Sequence, residues 1–402
     1  FAIPLLFAPL RAFIGYQSDT HPSVLGLRRI PYLWLGTLML FGGLSIMPFA
    51  LLLLSDPPEG TLWLGRAGVM LSFVLVGAGL QVTQTAGMAL ANDLANEEKR
   101  PRVVALLYAM LLLGMIISST LFGWLLADFS PTRLVQVIQG SAVVVVVLNL
   151  MSLWKQEARG QSRGAREKQG FQNNWRRLMA LPKMRRFLWT VALGTAAFSM
   201  QDIVLEPFGA EVLGLEVGDT SALTALSAGG ALLAFFASAK WLERGIHACR
   251  LASGGVLLGL PAFAFVIFSA PLESAALFRI GTFLIGFAGG LFSVGMLVTA
   301  MSFRDGVESG LVLGAWGAVQ ATAAGVAMAV GGLLRDGVAE LALQGDLGES
   351  LTSAATAYSF VYHIEIYMLF VVLIALGPLV RQHNQESSQG SRQSFGLAEF
   401  PS

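Results

Sequence analysis

The sequence predicts an all-α membrane protein with many spanning helices, and three observations carry this prediction. Hydrophobic residues make up 55% of the 402 residues and charged residues only 13%, with a mean hydropathy of +0.67, whereas soluble domains carry roughly 25% charged residues. Apolar runs near the ~20 residues that a spanning helix needs recur along the chain. Positive charge collects in every second loop between these runs, as expected for a protein that crosses the bilayer repeatedly.

Eleven apolar segments follow one another along the chain. The first is a half-segment, residues 1–14, in which only about ten residues precede Arg11, too few to cross a bilayer. The sequence also begins without methionine, so we expect that one N-terminal helix is missing and that the intact protein has twelve. The other ten segments are 31–54, 62–90, 103–127, 134–154, 187–213, 220–240, 251–270, 275–302, 309–334 and 358–380.

Lysine and arginine orient these segments. If the loop at 15–30 is cytoplasmic and the sides then alternate, 21 of the 26 Lys and Arg residues fall in cytoplasmic loops. The opposite loops, such as 55–60 and 337–350, are acidic or neutral. The positive-inside rule therefore predicts a cytoplasmic C-terminus.

The longest cytoplasmic loop divides the chain. We expect an N-terminal helical half at 1–154, a basic cytoplasmic linker at 155–186, a six-helix C-terminal half at 187–380 and a polar cytoplasmic tail at 381–402. Part of the linker is amphipathic enough to lie on the anionic inner leaflet, and an ordinary linker is the alternative. Two parallel six-helix halves joined by a central loop are typical of the major facilitator fold.

The candidate site lies at residues 200–214, where MQDIVLEPFGAEVLG interrupts an apolar run. On a continuous helix, Asp202 and Glu206 would share one face, one turn apart. Because ionised groups at membrane depth are costly, they usually face the bundle interior or a wet cavity. Pro207 favours a kink or break. We interpret the stretch, with Gln201, as an internal polar site; the alternative is that both acids meet headgroup water at a helix end.

His363 is a further candidate, because it lies in a membrane segment beside Glu365. Neutral imidazole is a common axial ligand of metals. The alternative is a hydrogen-bonded residue of an interface rich in tyrosine, here Tyr362 and Tyr367.

Two motifs concern helix packing and gating. The loop GYQSDTHPSVLGLRRIPY at 15–32 resembles the loop between the second and third helices of major facilitator proteins, where it is associated with a cytoplasmic gate, although the interval from aspartate to arginine is longer here. Small residues recur at near-helical spacing after residue 309, which predicts close helix packing, with a substrate groove as the alternative. The motif residues are Gly15, Asp19, Arg28 and Arg29 in the loop, and Gly310, Gly314, Gly317 and Gly325 in the small-residue run.

Several classes of function lack support in the sequence. The single cysteine, Cys249, excludes a disulfide framework and a multi-cysteine metal site. A net charge of +1 gives no indication of nucleic acid as a partner. We find no nucleophile elbow, phosphate-binding loop, metal-ligand cluster or dinucleotide fingerprint, so we expect neither catalysis nor a metal site built from protein ligands.

Three stretches, 8–54, 201–214 and 310–325, are similar to the PucC/LhaA family of phototrophic bacteria, the bacteriochlorophyll delivery branch of the major facilitator superfamily. The resemblance covers essentially the whole chain. It implies about twelve helices and a role in assembling light-harvesting antennae in the bacterial inner (intracytoplasmic photosynthetic) membrane, by handing over bacteriochlorophyll or by chaperoning antenna polypeptides. The hallmark positions it implies are Gly15, Ser18, Asp19, Arg28, Arg29, Pro31, Gln201, Asp202, Glu206, Pro207, Gly314, Trp316, Gly317 and Gln320.

Three functions stay open at this point. In the first, Asp202, Glu206, Gln201 and His363 bind a polar substituent or the magnesium of bacteriochlorophyll, or a helix of an antenna polypeptide from the light-harvesting or reaction-centre core complex. In the second, the chain is a proton-coupled secondary transporter whose titrating group is Asp202, Glu206 or the His363/Glu365 pair. In the third, the basic linker binds a soluble partner and the protein is regulatory.

Overall fold

The computed structural model describes residues 27, 29–55, 62–94, 100–128, 130–153, 176, 179–302, 309–344, 348 and 351–393. Within helices, side chains are described except at 92, 93, 100–102, 104, 105, 309–311, 313, 314 and 381–393. The predicted half-segment, the loop residues Gly15, Asp19 and Arg28, most of the linker and the end of the tail lie outside the described residues.

This part of the chain forms eleven α-helices and one 3₁₀ turn. The helices are α1 (Ile30–Ser55), α2 (Leu62–Leu94), α3 (Arg100–Leu125), α4 (Pro131–Leu153), α5 (Pro182–Ser199), α6 (Leu205–Leu213), α7 (Val217–Glu243), α8 (Ala248–Ser269), α9 (Ala275–Ser302), α10 (Ser309–Gln344) and α11 (Ala354–Gln393), with the 3₁₀ turn at Met200–Ile203 between α5 and α6.

Nine of the described helices are long and apolar enough to cross a membrane, and the bent pair Pro182–Ile203 and Leu205–Leu213 makes a tenth span. These ten spans coincide with the ten complete segments that hydropathy predicts, so that prediction is confirmed and the protein is a multi-pass membrane protein. The helices also extend into the expected linker and tail. Helix α5 begins inside the predicted linker, and α11 continues to Gln393 within the predicted tail.

Local chemistry sets several of the helix ends. Ser130 Oγ accepts a 3.1 Å hydrogen bond from the Arg133 N–H at the start of α4, and Ser274 Oγ accepts one of 3.2 Å from Leu277 at the start of α9. Both are N-cap bonds to otherwise unpaired first-turn donors. Pro182 opens α5, where a missing N–H costs nothing. Gly214, at φ 63°, ends α6 in the left-handed conformation that glycine adopts without strain.

The second half of the described chain shares one core. Helices α5 to α11 contribute to one large cluster of buried side chains, whose largest fully buried members are aromatic: Phe187, Phe208, Phe263, Phe278, Phe292, Tyr358 and Tyr362. In the first half, α1 packs against α2 and α4. Contact between the halves is made along α3 and α7.

Helices α3 and α7 approach closely near one end. A Cβ on Gly123 would lie 3.1 Å from the Gly218 carbonyl oxygen, and Ser119 Oγ donates a hydrogen bond to the Ser221 carbonyl. Helices α7 and α9 are tighter still, since a Cβ on Gly286 would overlap the Ser227 carbonyl. Small residues let the backbones come this near, and the packing fixes the walls of the space between the halves.

The surroundings of the predicted small-residue run are described at two of its four glycines. A Cβ on Gly317 would meet nothing within 4 Å, while Gly325 is buried. Gly310 and Gly314 lie on α10, but their surroundings are outside the described side chains.

Candidate functional site

The candidate site begins at a break in one spanning segment. Pro207 is the third residue of α6, and its ring would collide with the carbonyl of Ile203 if a helix ran through without interruption. The chain instead forms the 3₁₀ turn, and the axes of the two parts differ by 41°. The predicted break near Pro207 is therefore confirmed. Helix α6 adds nine residues beyond the turn, about 13 Å, so the acids do not lie at the end of the span.

The break separates the two carboxylates that the sequence places on one helical face. Asp202 belongs to the 3₁₀ turn, whereas Glu206 belongs to the first turn of α6. Glu206 accepts a 2.7 Å hydrogen bond from Thr224 Oγ1 on α7, and it is not part of the cavity that Asp202 lines. The expectation of one shared face is wrong, because it assumes an uninterrupted helix.

Asp202 opens into a cavity of about 410 Å³ between the halves. The walls come from α3 of the first half and from α5, the 3₁₀ turn, α7, α9 and α10 of the second. The polar side chains on the wall are Gln201, Asp202, Ser227, Ser293 and Gln320, and the aromatic ones are Tyr108, Phe198, Phe235 and Trp316. Asp202 is accessible although it lies deep in the bundle, because its open side is this cavity.

An amide and a carboxylate meet on the cavity wall. Gln201 Nε2 donates a 2.6 Å hydrogen bond to Asp202 Oδ1. Gln201 is buried, and its Oε1 has no hydrogen-bond partner among the described residues. One N–H of the amide is used within the pair, and the Asp202 carboxylate, which lines the cavity, keeps further acceptor capacity toward a ligand.

A second carboxylate lies behind this pair. Glu365 of α11 is fully buried, and neither of its oxygens has a hydrogen-bond partner among the described residues. It lies within electrostatic reach of Asp202, and the Gln201 backbone is near it without reaching hydrogen-bond geometry. The Tyr362 hydroxyl, one turn away on α11, is likewise buried without a described partner. Buried polar groups are seldom left unsatisfied, so this cluster is a strong candidate for function.

Of the predicted pair His363 and Glu365, the structure turns only Glu365 into the core. Residues two apart on a helix point to nearly opposite sides, and His363 is exposed on the outside of the bundle. The predicted grouping of His363 with Gln201, Asp202 and Glu206 is therefore not formed. Helical periodicity could have predicted that Glu365 points inward, because it falls on the apolar face of α11. The buried residues of that face include Tyr358, Tyr362, Glu365, Leu369, Val372 and Leu376.

Aromatic side chains from both halves meet on the cavity wall. The rings of Tyr108 and Phe235 stack with centroids 6.4 Å apart, and Trp316 meets Tyr108 edge-on at 6.4 Å. These contacts join α3, α7 and α10, and so they link the two halves.

A polar cluster holds the outer part of the broken span. Arg335 Nη2 of α10 donates to Glu211 Oε2 of α6 at 2.7 Å and to the Tyr358 hydroxyl of α11 at 2.6 Å. The Tyr358 hydroxyl donates to Glu211 Oε2 at 2.7 Å, and the guanidinium lies 4.8 Å from the centre of the Tyr358 ring. Three helices thus share one charged junction. At the gate motif, Arg29 is buried directly before α1, and Asp19 lies outside the described residues.

The cavity is a poor fit for a whole bacteriochlorophyll. Its carboxylate acceptor, Asp202, is a group that could ligate magnesium. A volume of about 410 Å³ is near the small end of the roughly 300–1,000 Å³ of small-molecule sites, and it is too small for the macrocycle and its long tail together. Among the described residues, no group of three or more His, Cys, Asp and Glu side chains could hold a metal ion.

The chain is similar to one protein family over most of its length. The family model described as PUCC protein matches residues 1–384. A protein from the puhA-bchM intergenic region of Rhodobacter capsulatus is 48% identical, over 100% of this chain and 85% of that protein. Protein PucC of Rhodovulum sulfidophilum is 48% identical over 84% of this chain and 76% of its own length, and Protein PucC of Rhodobacter capsulatus is 45% identical over 95% and 83%.

Solved structures confirm the predicted major facilitator fold. An inward-facing bacterial homologue of the human lysosomal transporter Spinster has a TM-score of 0.62 at 15% identity, covering 94% of this chain and 86% of that one. A transporter of the POT family has a TM-score of 0.65 at 13% identity, covering 93% and 85%. At these identities the likeness concerns the fold alone.

Proposed function

We propose that this chain, which belongs to the PUCC protein family, is a non-enzymatic assembly factor for bacterial light-harvesting antenna complexes. It resides in the intracytoplasmic photosynthetic membrane with its C-terminus in the cytoplasm. Its proposed partners are bacteriochlorophyll and antenna polypeptides of the light-harvesting or reaction-centre core complex. The observation that carries the proposal is the similarity to PucC proteins at 44–48% identity across 84–95% of the chain.

The central cavity supports a role in handling a partner. Its wall offers the carboxylate acceptor of Asp202 next to aromatic surface at Tyr108 and Trp316. Such a wall suits an apolar group that carries a hydrogen-bond donor or a positive charge. We infer that the cavity holds a donor-bearing side chain of an antenna polypeptide during assembly.

The test is made in a phototrophic host that lacks its own copy of the chain. Near-infrared antenna absorbance per unit of membrane protein is measured in the deletion strain and after complementation with tagged wild type. Restoration by the wild type, with antenna polypeptides purifying alongside the tagged chain, supports the proposal. Full antenna absorbance in the deletion strain contradicts it.

A second candidate function, proton-coupled secondary transport, is favoured by one specific observation. Glu365 is fully buried without a described hydrogen-bond partner, within electrostatic reach of the cavity carboxylate Asp202, and intramembrane carboxylates of this kind serve as proton relays in transporters. Proton flux into proteoliposomes under an imposed gradient distinguishes the two functions. Flux that Glu365→Gln abolishes favours transport, and an absence of flux in the wild type favours assembly alone.

A further inference from the structure

The outward face of α11 combines one histidine with large apolar side chains. Phe360 is 46% exposed, Tyr367 is 67% exposed, and His363 is exposed between them. Spacings of three and four residues put these side chains on one helical face. The opposite face of α11, which includes Glu365, packs into the core. His363 therefore presents an imidazole to the lipid side of a spanning segment.

The hydrogen bond of His363 fixes which ring nitrogen is free. Nδ1 lies 2.6 Å from the Ser359 carbonyl oxygen. Because a carbonyl only accepts, Nδ1 carries the proton and Nε2 keeps a lone pair in the neutral ring. No further hydrogen bond of this ring occurs within the described residues. A bare acceptor in hydrocarbon is costly, and metal-ligating histidines commonly donate their other ring N–H to a backbone carbonyl in this way.

We propose that His363 Nε2 is the axial ligand of a magnesium tetrapyrrole that lies on the outer face of α11, flanked by Phe360 and Tyr367. This inference rests on the proposed function and names the site at which pigment is held. Among the described residues, no group of three or more metal-ligating side chains is present. A single histidine can hold a metal ion in the protein only if a macrocycle occupies the other coordination positions of the metal. The lipid side also sets no volume limit on a large flat ring, unlike the central cavity.

The test is a binding titration on the purified full chain in lipid nanodiscs. Bacteriochlorophyll a is the probe, bacteriopheophytin a, which has no magnesium, is the second probe, and the absorption band sensitive to magnesium coordination is the readout. We expect His363→Leu to weaken binding of bacteriochlorophyll a about tenfold or more, and free imidazole to restore the coordination band in His363→Gly. Val371→Ala, an apolar change on the same exposed face, is the matched control and should bind as the wild type does.

Three results would overturn the site: no binding by the wild type, equal binding by His363→Leu, or equal affinity for the magnesium-free pigment. The proposed function fails on a different measurement, namely full antenna absorbance in the deletion strain. A strain that loses its antennae, together with a His363→Leu protein that binds pigment normally, would leave the assembly role in place and remove this site.

Discussion

Gln201 and Asp202 are neighbours in sequence whose side chains bond to each other, Nε2 to Oδ1 at 2.6 Å, on the wall of the central cavity. Both residues lie in the 3₁₀ turn that interrupts the span. The hydrogen bond orients the carboxylate while leaving the carbonyl of Gln201 unpaired. The break in the span thereby creates the most polar part of the cavity wall.

Asp202→Asn should impair antenna assembly without unfolding the protein. The variant keeps an acceptor for Gln201 but removes the negative charge from the cavity, so a donor-bearing or cationic partner should bind less tightly. We expect antenna absorbance in the complemented strain to fall about tenfold, which corresponds to about 1.4 kcal/mol, at an unchanged level of tagged protein. Glu206→Gln is the matched control, because Glu206 lies outside the cavity and glutamine can still accept from Thr224. Equal loss in both variants would contradict a specific role for Asp202.

Glu365→Met should raise the unfolding temperature of the purified protein. The carboxylate is fully buried and unpartnered among the described residues, and replacing an unsatisfied polar group with an apolar one of similar shape removes a cost of about 1–3 kcal/mol. Thermal unfolding in detergent measures the effect. Glu340→Met, at an exposed position of α10, should change it little. A lower unfolding temperature for Glu365→Met would mean that the carboxylate has a stabilising partner.

More of the fold than of the candidate site could be predicted from the sequence. Hydropathy reports burial in lipid directly, so ten spans could be located without knowing how they pack. Asp202 could be found because a carboxylate in an apolar run is conspicuous. Its separation from Glu206 depends on where Pro207 breaks the helix, and the choice between His363 and Glu365 depends on which face of α11 meets the core. The position of the helix break and the orientation of α11 both result from packing, which residue spacing alone does not determine.

Gly331→Ala should destabilise the protein by disturbing the 3₁₀ turn. A Cβ on Gly331 of α10 would lie 2.6 Å from Met200 Cγ and 3.0 Å from the Met200 carbonyl oxygen, so α10 and the turn would have to separate. Overpacking of this kind costs about 1–3 kcal/mol. Gly317→Ala on the same helix is the control, because a Cβ there meets nothing within 4 Å and alanine favours helix by about 1 kcal/mol. Unfolding midpoints of the two variants should move in opposite directions, and a shared direction would contradict the contact.

Tyr358→Phe should loosen the junction that holds α6. The hydroxyl accepts from Arg335 at 2.6 Å and donates to Glu211 at 2.7 Å, so its loss removes two hydrogen bonds that involve charged groups, at a cost of about 2–4 kcal/mol. Glu211→Gln and the double variant complete a mutant cycle, and we expect a coupling of about 1 kcal/mol or more between the two positions. Arg133→Lys is the control, since its 3.5 Å bridge to the exposed Asp128 contributes little. Additive effects of Tyr358→Phe and Glu211→Gln would show that the junction does not act as a unit, and α6 would then have to be held by the packing of Phe208 against Phe278 and Tyr362.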